Sequence, residues 1–134
     1  MISTKGRYAL RVMIDLAEQQ NIEYIPLKEI AKRQNISQKY LESIMTILSK
    51  NNFIEALHGK GGGYRLNREP SEYKVGDILR LTEGTLAPVS CLEDCAKPCD
   101  HVNECRTISM WSELNKIINQ YLDSVSIRDL MSID

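Results

Sequence analysis

Residues 27–66, LKEIAKRQNISQKYLESIMTILSKNNFIEALHGKGGGYRL, carry the pattern that decides the fold. Leu27, Ile30 and Ala31 mark one face of a short helix over 27–33, and Gln34-Asn35-Ile36 makes a turn. Ser37 has the side chain of an N-cap, and the helix it opens reaches about Lys50. Leu41, Ile44, Met45 and Leu48 repeat at i, i+3, i+4 and i+7 and give that helix one apolar stripe. Gln38, Lys39, Tyr40, Glu42, Ser43 and Thr46 are left pointing elsewhere, and Asn51-Asn52 ends the helix. Two short alternating segments follow, 53–57 and 64–66, around a loop with glycine at four of the five positions 59–63. Such a pair reads as a β-hairpin, or wing. Short helix, turn, helix and wing together predict a mainly α fold with one small hairpin, the winged helix-turn-helix.

Upstream, a first helix is expected over residues 4–20, with Tyr8, Ala9, Val12, Met13, Leu16 and Ala17 inward and Thr4 as N-cap. Ile22–Ile25 reads as a connector or brief strand, and Pro26 suits a helix entrance. Downstream, Glu69-Pro70-Ser71 marks a boundary, dividing a DNA-binding region, 1–70, from a cysteine-bearing loop with dimerisation helices, 71–134. A fourth helix is expected over 75–83, stopped by Gly84, then a loop over 85–104. A long helix should start near Cys105 or Arg106 and run to about Asp123. Its apolar residues Ile108, Trp111, Leu114, Ile118, Tyr121 and Val125 recur every three or four positions, close to a coiled-coil seam. Ser126-x-x-Asp129 opens a last short turn with Ile127, Leu130 and Met131 as its apolar face.

At 134 residues the chain is one domain-length unit, or one small domain plus an extension that must find a partner, and 43% hydrophobic with 26% charged residues is a globular composition in which disorder is not expected. No apolar run is long enough to cross a bilayer, and the N-terminus lacks the apolar core of a signal peptide, so cytoplasmic residence is expected. The net charge of −1 hides a split: 11 Lys/Arg against 6 Asp/Glu in residues 1–68, and 6 against 12 in residues 69–134. Screening limits strong electrostatic action to about 8 Å at physiological salt, so the basic half attracts phosphate despite the acidic half. The chain has 2 histidines, His58 and His101, both in loop contexts without an oxyanion-type motif, so an enzyme is not expected.

If the second of the paired helices enters a major groove, residues at its N-terminal end reach base edges: Ser37, Gln38, Lys39, Tyr40, Glu42 and Ser43. Glu42 is the discriminating candidate, because a carboxylate among phosphates is repelled unless it accepts from a cytosine amino group. The competing reading is an ordinary solvated helix charge. His58 and Lys60 sit at the wing tip, and Lys5, Arg7, Lys28, Lys32 and Arg65 are candidate phosphate contacts.

The chain's 4 cysteines fall in one acidic stretch, Cys91-x3-Cys95-x3-Cys99-x5-Cys105. Thiols concentrated in a loop and absent from the apolar helices point to an inorganic ligand, iron–sulfur or zinc. In a reducing compartment disulfide switching is the weaker reading.

Several of these motifs are similar to those of the IscR-type family of bacterial winged-helix transcriptional regulators. They are Ser3-Thr4-Lys5-Gly6-Arg7-Tyr8-Ala9, Pro26-Leu27-Lys28-Glu29-Ile30-Ala31, Ser37-x-x-Tyr40-Leu41-Glu42 and Gly59-Lys60-Gly61-Gly62-Gly63-Tyr64-Arg65-Leu66. Val75-Gly76-Asp77-Ile78 and Cys105-x5-Trp111-x2-Leu114 extend the likeness through the chain. The resemblance implies a homodimer on a double-stranded operator, with specificity at the Glu42 position. Relatives often carry an arginine where this chain has His58. The resemblance also implies an iron–sulfur cluster, 2Fe–2S or 4Fe–4S, on Cys91, Cys99 and Cys105, setting operator affinity in a redox-sensing regulator. Related proteins take a fourth ligand from a histidine three residues past the last cysteine; here that residue is Ile108. Cys95 is the replacement expected, with His101, Asp94, Asp100 and Glu104 as further candidates. The alternatives are a zinc- or thiol-switched regulator, or a repressor controlled by a metabolic-enzyme partner.

Overall fold

The computed structural model describes residues 2–19, 23–89, 92 and 106–131. In chain order these form α1 (Thr4–Glu18), α2 (Leu27–Gln34), α3 (Gln38–Lys50), β1 (Ile54–Leu57), β2 (Gly63–Leu66), a 3-10 turn (Pro70–Glu72), α4 (Val75–Glu83), α5 (Ile108–Ser124) and α6 (Ile127–Leu130). β1 and β2 form an antiparallel hairpin in the register Ile54↔Leu66, Glu55↔Arg65, Ala56↔Tyr64, Leu57↔Gly63. Ile25 bridges to the outer edge of β2 as a one-residue third strand: its N–H donates to the Tyr64 carbonyl and the Tyr64 N–H donates back, both at 2.9 Å. A Cβ on Gly63 would collide with the Ile25 carbonyl, so this bridge requires glycine at the start of β2.

The periodicity of α1 and α3 translates directly into burial. Ala9, Val12 and Met13 of α1 and Leu41, Ile44, Met45 and Leu48 of α3 have no exposed surface. Ile30 of α2 and Ile78 of α4 close the same core. Each Val, Leu, Ile or Met among these stabilises the fold by roughly 1.5–3 kcal/mol through removal from water. The chain's last elements return to this core: Ile127 of α6 is fully buried in it, and its N–H donates to the Tyr73 carbonyl at 3.0 Å. Tyr73, buried itself, donates its hydroxyl to the Phe53 carbonyl at 2.7 Å and ties the base of the wing to the segment before α4. Ser126 and Asp129 form the capping box expected for the last helix.

Two differences from the sequence reading have clear causes. The α1 cap is Ser3, whose hydroxyl accepts from the Gly6 N–H at 3.3 Å, because Glu83 holds Ser3 by both its N–H (2.9 Å) and its hydroxyl (2.6 Å). Thr4 becomes the first helical residue. The apolar residues of α5 split over two faces. Ile118 and Leu122, with Val125 just past the helix, pack on Val75 and Leu79 of α4 and on Leu86, while Met110, Leu114, Ile117 and Tyr121 are exposed. The expected seam merged parts of both.

Candidate nucleic-acid interface

The N-terminal turns of α3 present the polar surface that the sequence marks out. Ser37 caps α3 by accepting from the Tyr40 N–H at 3.2 Å. Gln38, Lys39, Glu42 and Ser43 are exposed. Ser43 donates its hydroxyl to the Tyr40 carbonyl at 2.6 Å, which leaves its lone pairs as acceptors. Tyr40 is half-buried and packs edge-on against Tyr8 of α1, with ring centroids 5.8 Å apart. Tyr40 therefore braces α3 against α1 as well as edging its exposed face.

The helices beneath this surface are locked by a polar network absent from the sequence reading. Asp15 is buried in α1 and accepts from Arg33 Nε (3.0 Å), Arg33 Nη2 (2.8 Å) and Gln34 Nε2 (2.9 Å) of α2. The available signal was a carboxylate beside Leu16 on the apolar face of a predicted helix. Arg11 adds a second α1–α2 tie, donating Nε to the Gln34 side chain at 3.1 Å and Nη2 to the Gln34 carbonyl.

The wing has two chemically different sides. An open groove of about 330 Å³ separates it from the N-terminal ends of α2 and α3. Lys28, Gln38, Ala56, His58 and Tyr64 are among its lining residues, and no Asp or Glu lines it. Burial, and then the Glu42 carboxylate, push the Tyr64 phenol above its ordinary pKa, so the field of Glu42 reaches the wing. The other side gathers Glu55, Glu69 and Glu72 with Arg65 and Arg68. There Arg65 is paired with Glu55 at 2.8 Å and stacks on Tyr24 at 4.5 Å, while Arg68 lies over Phe53 and Tyr73. Arg65 was a candidate phosphate contact in the sequence; in the fold its charge is met by Glu55 across the hairpin. The groove is thus lined by Lys28 and by no carboxylate, whereas the other side of the wing mixes arginines with glutamates. His58 and Lys60 are exposed at the tip, and a Cβ on Gly62 would collide with the Leu57 carbonyl, so the loop folds back more tightly than any other residue permits. Arg7, Lys28 and Lys32 are exposed and Lys5 is half-exposed.

Cys91, Cys95, Cys99 and Cys105, the expected ligand set, lie outside the described residues, as do His101, Asp94, Asp100 and Glu104. The described residues contain no group of three His, Cys, Asp or Glu side chains placed to hold a metal ion. Ile108 is the first residue of α5 and half-buried. Near the start of the cysteine segment, Leu92 lines a cavity of about 60 Å³ together with Arg80 of α4 and Asn115 and Asn119 of α5. Arg80 spans that junction, donating to Asp123 at 2.8 and 2.9 Å and to Asn119 at 2.8 Å, and it holds the Asp123 carboxyl below the usual carboxylate range. Among the described residues no helix is long and apolar enough to cross a membrane.

The chain is 37% identical over 131 residues to the HTH-type transcriptional regulator CymR of Bacillus subtilis, a match covering 98% of this chain and 89% of CymR. It is 33% identical over 130 residues to the HTH-type transcriptional regulator IscR of Aliivibrio salmonicida, covering 97% and 76% of the two chains. The solved structure of CymR, described as the global cysteine regulator of B. subtilis, superposes with a TM-score of 0.78 at 36% identity, over 97% of this chain and 95% of CymR. The profile of the Rrf2 family, described as iron-dependent transcriptional regulators, matches residues 2–133. With helix-turn-helix, wing and C-terminal helix all in place, the chain belongs to the Rrf2 family of DNA-binding transcriptional regulators and is not an enzyme.

Proposed function

We propose that the chain works as a homodimer, reading two operator half-sites with paired α3 helices and wings, and that an iron–sulfur cluster on the cysteine segment sets its operator affinity. The observation that carries the DNA reading is the seating of α3. Its apolar stripe is fully buried, so the exposed polar turn is held rigidly beside an acid-free groove. Gln38, Lys39, Glu42 and Ser43 reach base edges, Tyr40 and Ser37 fix the start of the helix, and His58 and Lys60 meet the backbone or minor groove. In this reading residues 1–70 supply the recognition helix and wing, and residues 71–134 supply the cysteine segment and dimer helix together with Ile78 and Ile127, which complete the core under α3. The exposed stripe Met110, Leu114, Ile117 and Tyr121, spaced four, three and four, fits a two-fold helix pair.

For the cluster, support comes from donor chemistry. Four thiols within 15 residues suit a cluster, with Cys91, Cys99 and Cys105 as ligands and Cys95 as the fourth. The family's iron-dependent description and the IscR relative agree with this. Leu92, the residue after Cys91 in the sequence, lines one cavity with Arg80 and Asn119 at the α4–α5 junction, which supports a route from cluster to dimer geometry. A second reading has its own observation: the CymR structure, a cysteine regulator by description, matches over nearly its whole length. In that reading the chain answers to cysteine status, through its thiols, zinc or a metabolic-enzyme partner.

Oxygen-free purification followed by ultraviolet–visible spectroscopy, iron and sulfide analysis, and operator titration separates the two. The cluster reading expects visible absorbance, iron matched by sulfide, and different operator affinities before and after cluster removal. Colourless protein that binds operator equally well after chelation contradicts it.

A further inference from the structure

We propose that Arg80, Asn119 and Asp123 form a clamp that fixes the angle between α5 and the DNA-reading module, and so determines which half-site spacing the dimer accepts. This rests on the dimeric DNA-binding reading and goes beyond it, since nothing in that reading says what sets the spacing.

α4 belongs rigidly to the reader. Ile78 is fully buried in the core that seats α3, and Glu83 is bonded to Ser3 at the start of α1. α5 is pinned at its C-terminal end, where the Val75 N–H donates to the Val125 carbonyl at 2.9 Å and Ile127 is buried, but none of its own side chains is buried and its apolar contact with α4 rests on Val75 and Leu79 against Ile118 and Leu122. Apolar ridge-into-groove packing alone specifies a crossing angle loosely, with a spread of about 15–20° between one helix pair and another. The polar groups remove that freedom. Arg80 gives both terminal nitrogens to the two oxygens of Asp123, at 2.8 and 2.9 Å, and Nη2 also donates to Asn119 Oδ1 at 2.8 Å. A planar guanidinium gripping a carboxylate through two parallel bonds fixes direction as well as distance. Asn119 is itself oriented, donating Nδ2 to the Asn115 carbonyl at 2.7 Å and to its side-chain oxygen at 3.0 Å. Gly76 completes the seat: a Cβ there would collide with the Asp123 carboxylate.

The clamp lies on the opposite side of α5 from Met110, Leu114, Ile117 and Tyr121, as a turn of 3.6 residues requires. One side of α5 thus faces the reader and the other faces the second copy. Swinging such a helix by about 10° on an arm on the order of 20 Å, the size of a domain this small, moves the recognition helix by roughly 3.5 Å. That is one base-pair step along the duplex. Losing the clamp changes spacing tolerance while leaving each half-site contact intact.

The test uses the full chain and duplexes selected by it from a random library. Affinity is measured for the selected operator, for versions with the spacer one base pair shorter or longer, and for a single half-site. Arg80→Met keeps the aliphatic stem and removes the clamp; Asp123→Asn weakens it from the α5 side with little change in shape. Wild type is expected to reject the altered spacers. Arg80→Met is expected to lose that discrimination by about fivefold or more, with half-site affinity held within about twofold. Asp123→Asn is expected to show a smaller loss, and the double variant no more than Arg80→Met alone. Unchanged spacing preference in both variants overturns the proposal. So does an equal loss on the single half-site, which would mark the clamp as holding the fold only. A wild type indifferent to spacing would instead sink the dimeric reading beneath it.

Discussion

α3 and α5 are both amphipathic helices, and the fold treats them in opposite ways. In α3 the apolar stripe Leu41, Ile44, Met45 and Leu48 has no exposed surface, and what remains outside is polar. In α5 no residue is buried, and Met110 (53%), Ile117 (54%) and Tyr121 (65%) stay exposed beside Leu114. The apolar demand of α3 is met inside the chain, so its outer face is available to a partner recognised by hydrogen bonds and charge. The demand of α5 is met on one face by Ile118 and Leu122 against α4, and on the other a narrow stripe of four large apolar side chains is left for another protein surface. One molecule therefore carries two exposed faces of different chemistry, a polar one that the proposed function assigns to DNA and an apolar one that it assigns to a second copy.

The contrast is broken most forcefully inside α3. Leu48→Ala should lower the unfolding free energy by about 2–5 kcal/mol at any protein concentration, measured by urea denaturation. Leu114→Ala in α5 should leave the isolated chain's stability within about 0.5 kcal/mol and act on the concentration dependence of melting instead. Removing the polar lock under α3, Asp15→Ala, should cost about 2–3 kcal/mol, because Arg33 and Gln34 lose a buried partner while remaining partly hydrated. A smaller effect sharpens the polar side: Glu42→Ala should relax preference at one base pair per half-site by about 1–3 kcal/mol in a selection experiment, with non-specific affinity little changed. The smallest concerns the wing. Lys60→Ala should weaken binding to all duplexes by a similar modest factor and reduce the salt slope of log K by about one per subunit.

Much of α3 was legible because both of its faces obey local rules. A period of 3.6 places the stripe, Ser37 caps the start, and a hydroxyl three residues before a free N–H needs no distant information. The bounds of α4 and the capping box of α6 were equally local. What failed to read depended on distant partners. Ser3 and Thr4 are both competent caps, and the choice falls to Glu83, eighty residues away. Arg65 is an exposed cation in sequence, and only the cross-strand register brings Glu55 to it. Asp15 finds its use only when α2 delivers Arg33 and Gln34. In α5, two apolar faces lie side by side around the helix, and linear spacing merges them into one seam. The cysteine pattern was conspicuous from the start, and Cys91, Cys95, Cys99 and Cys105 fall outside the described residues.

The central claim, two faces with two kinds of partner, is tested most directly by sedimentation of the chain with a labelled duplex bearing a selected operator. The account predicts two 15.3 kDa chains per duplex, arriving together, and a dimer of the same mass without DNA. Chains that sediment singly and load one at a time onto the duplex, with no preference for paired half-sites, would contradict it.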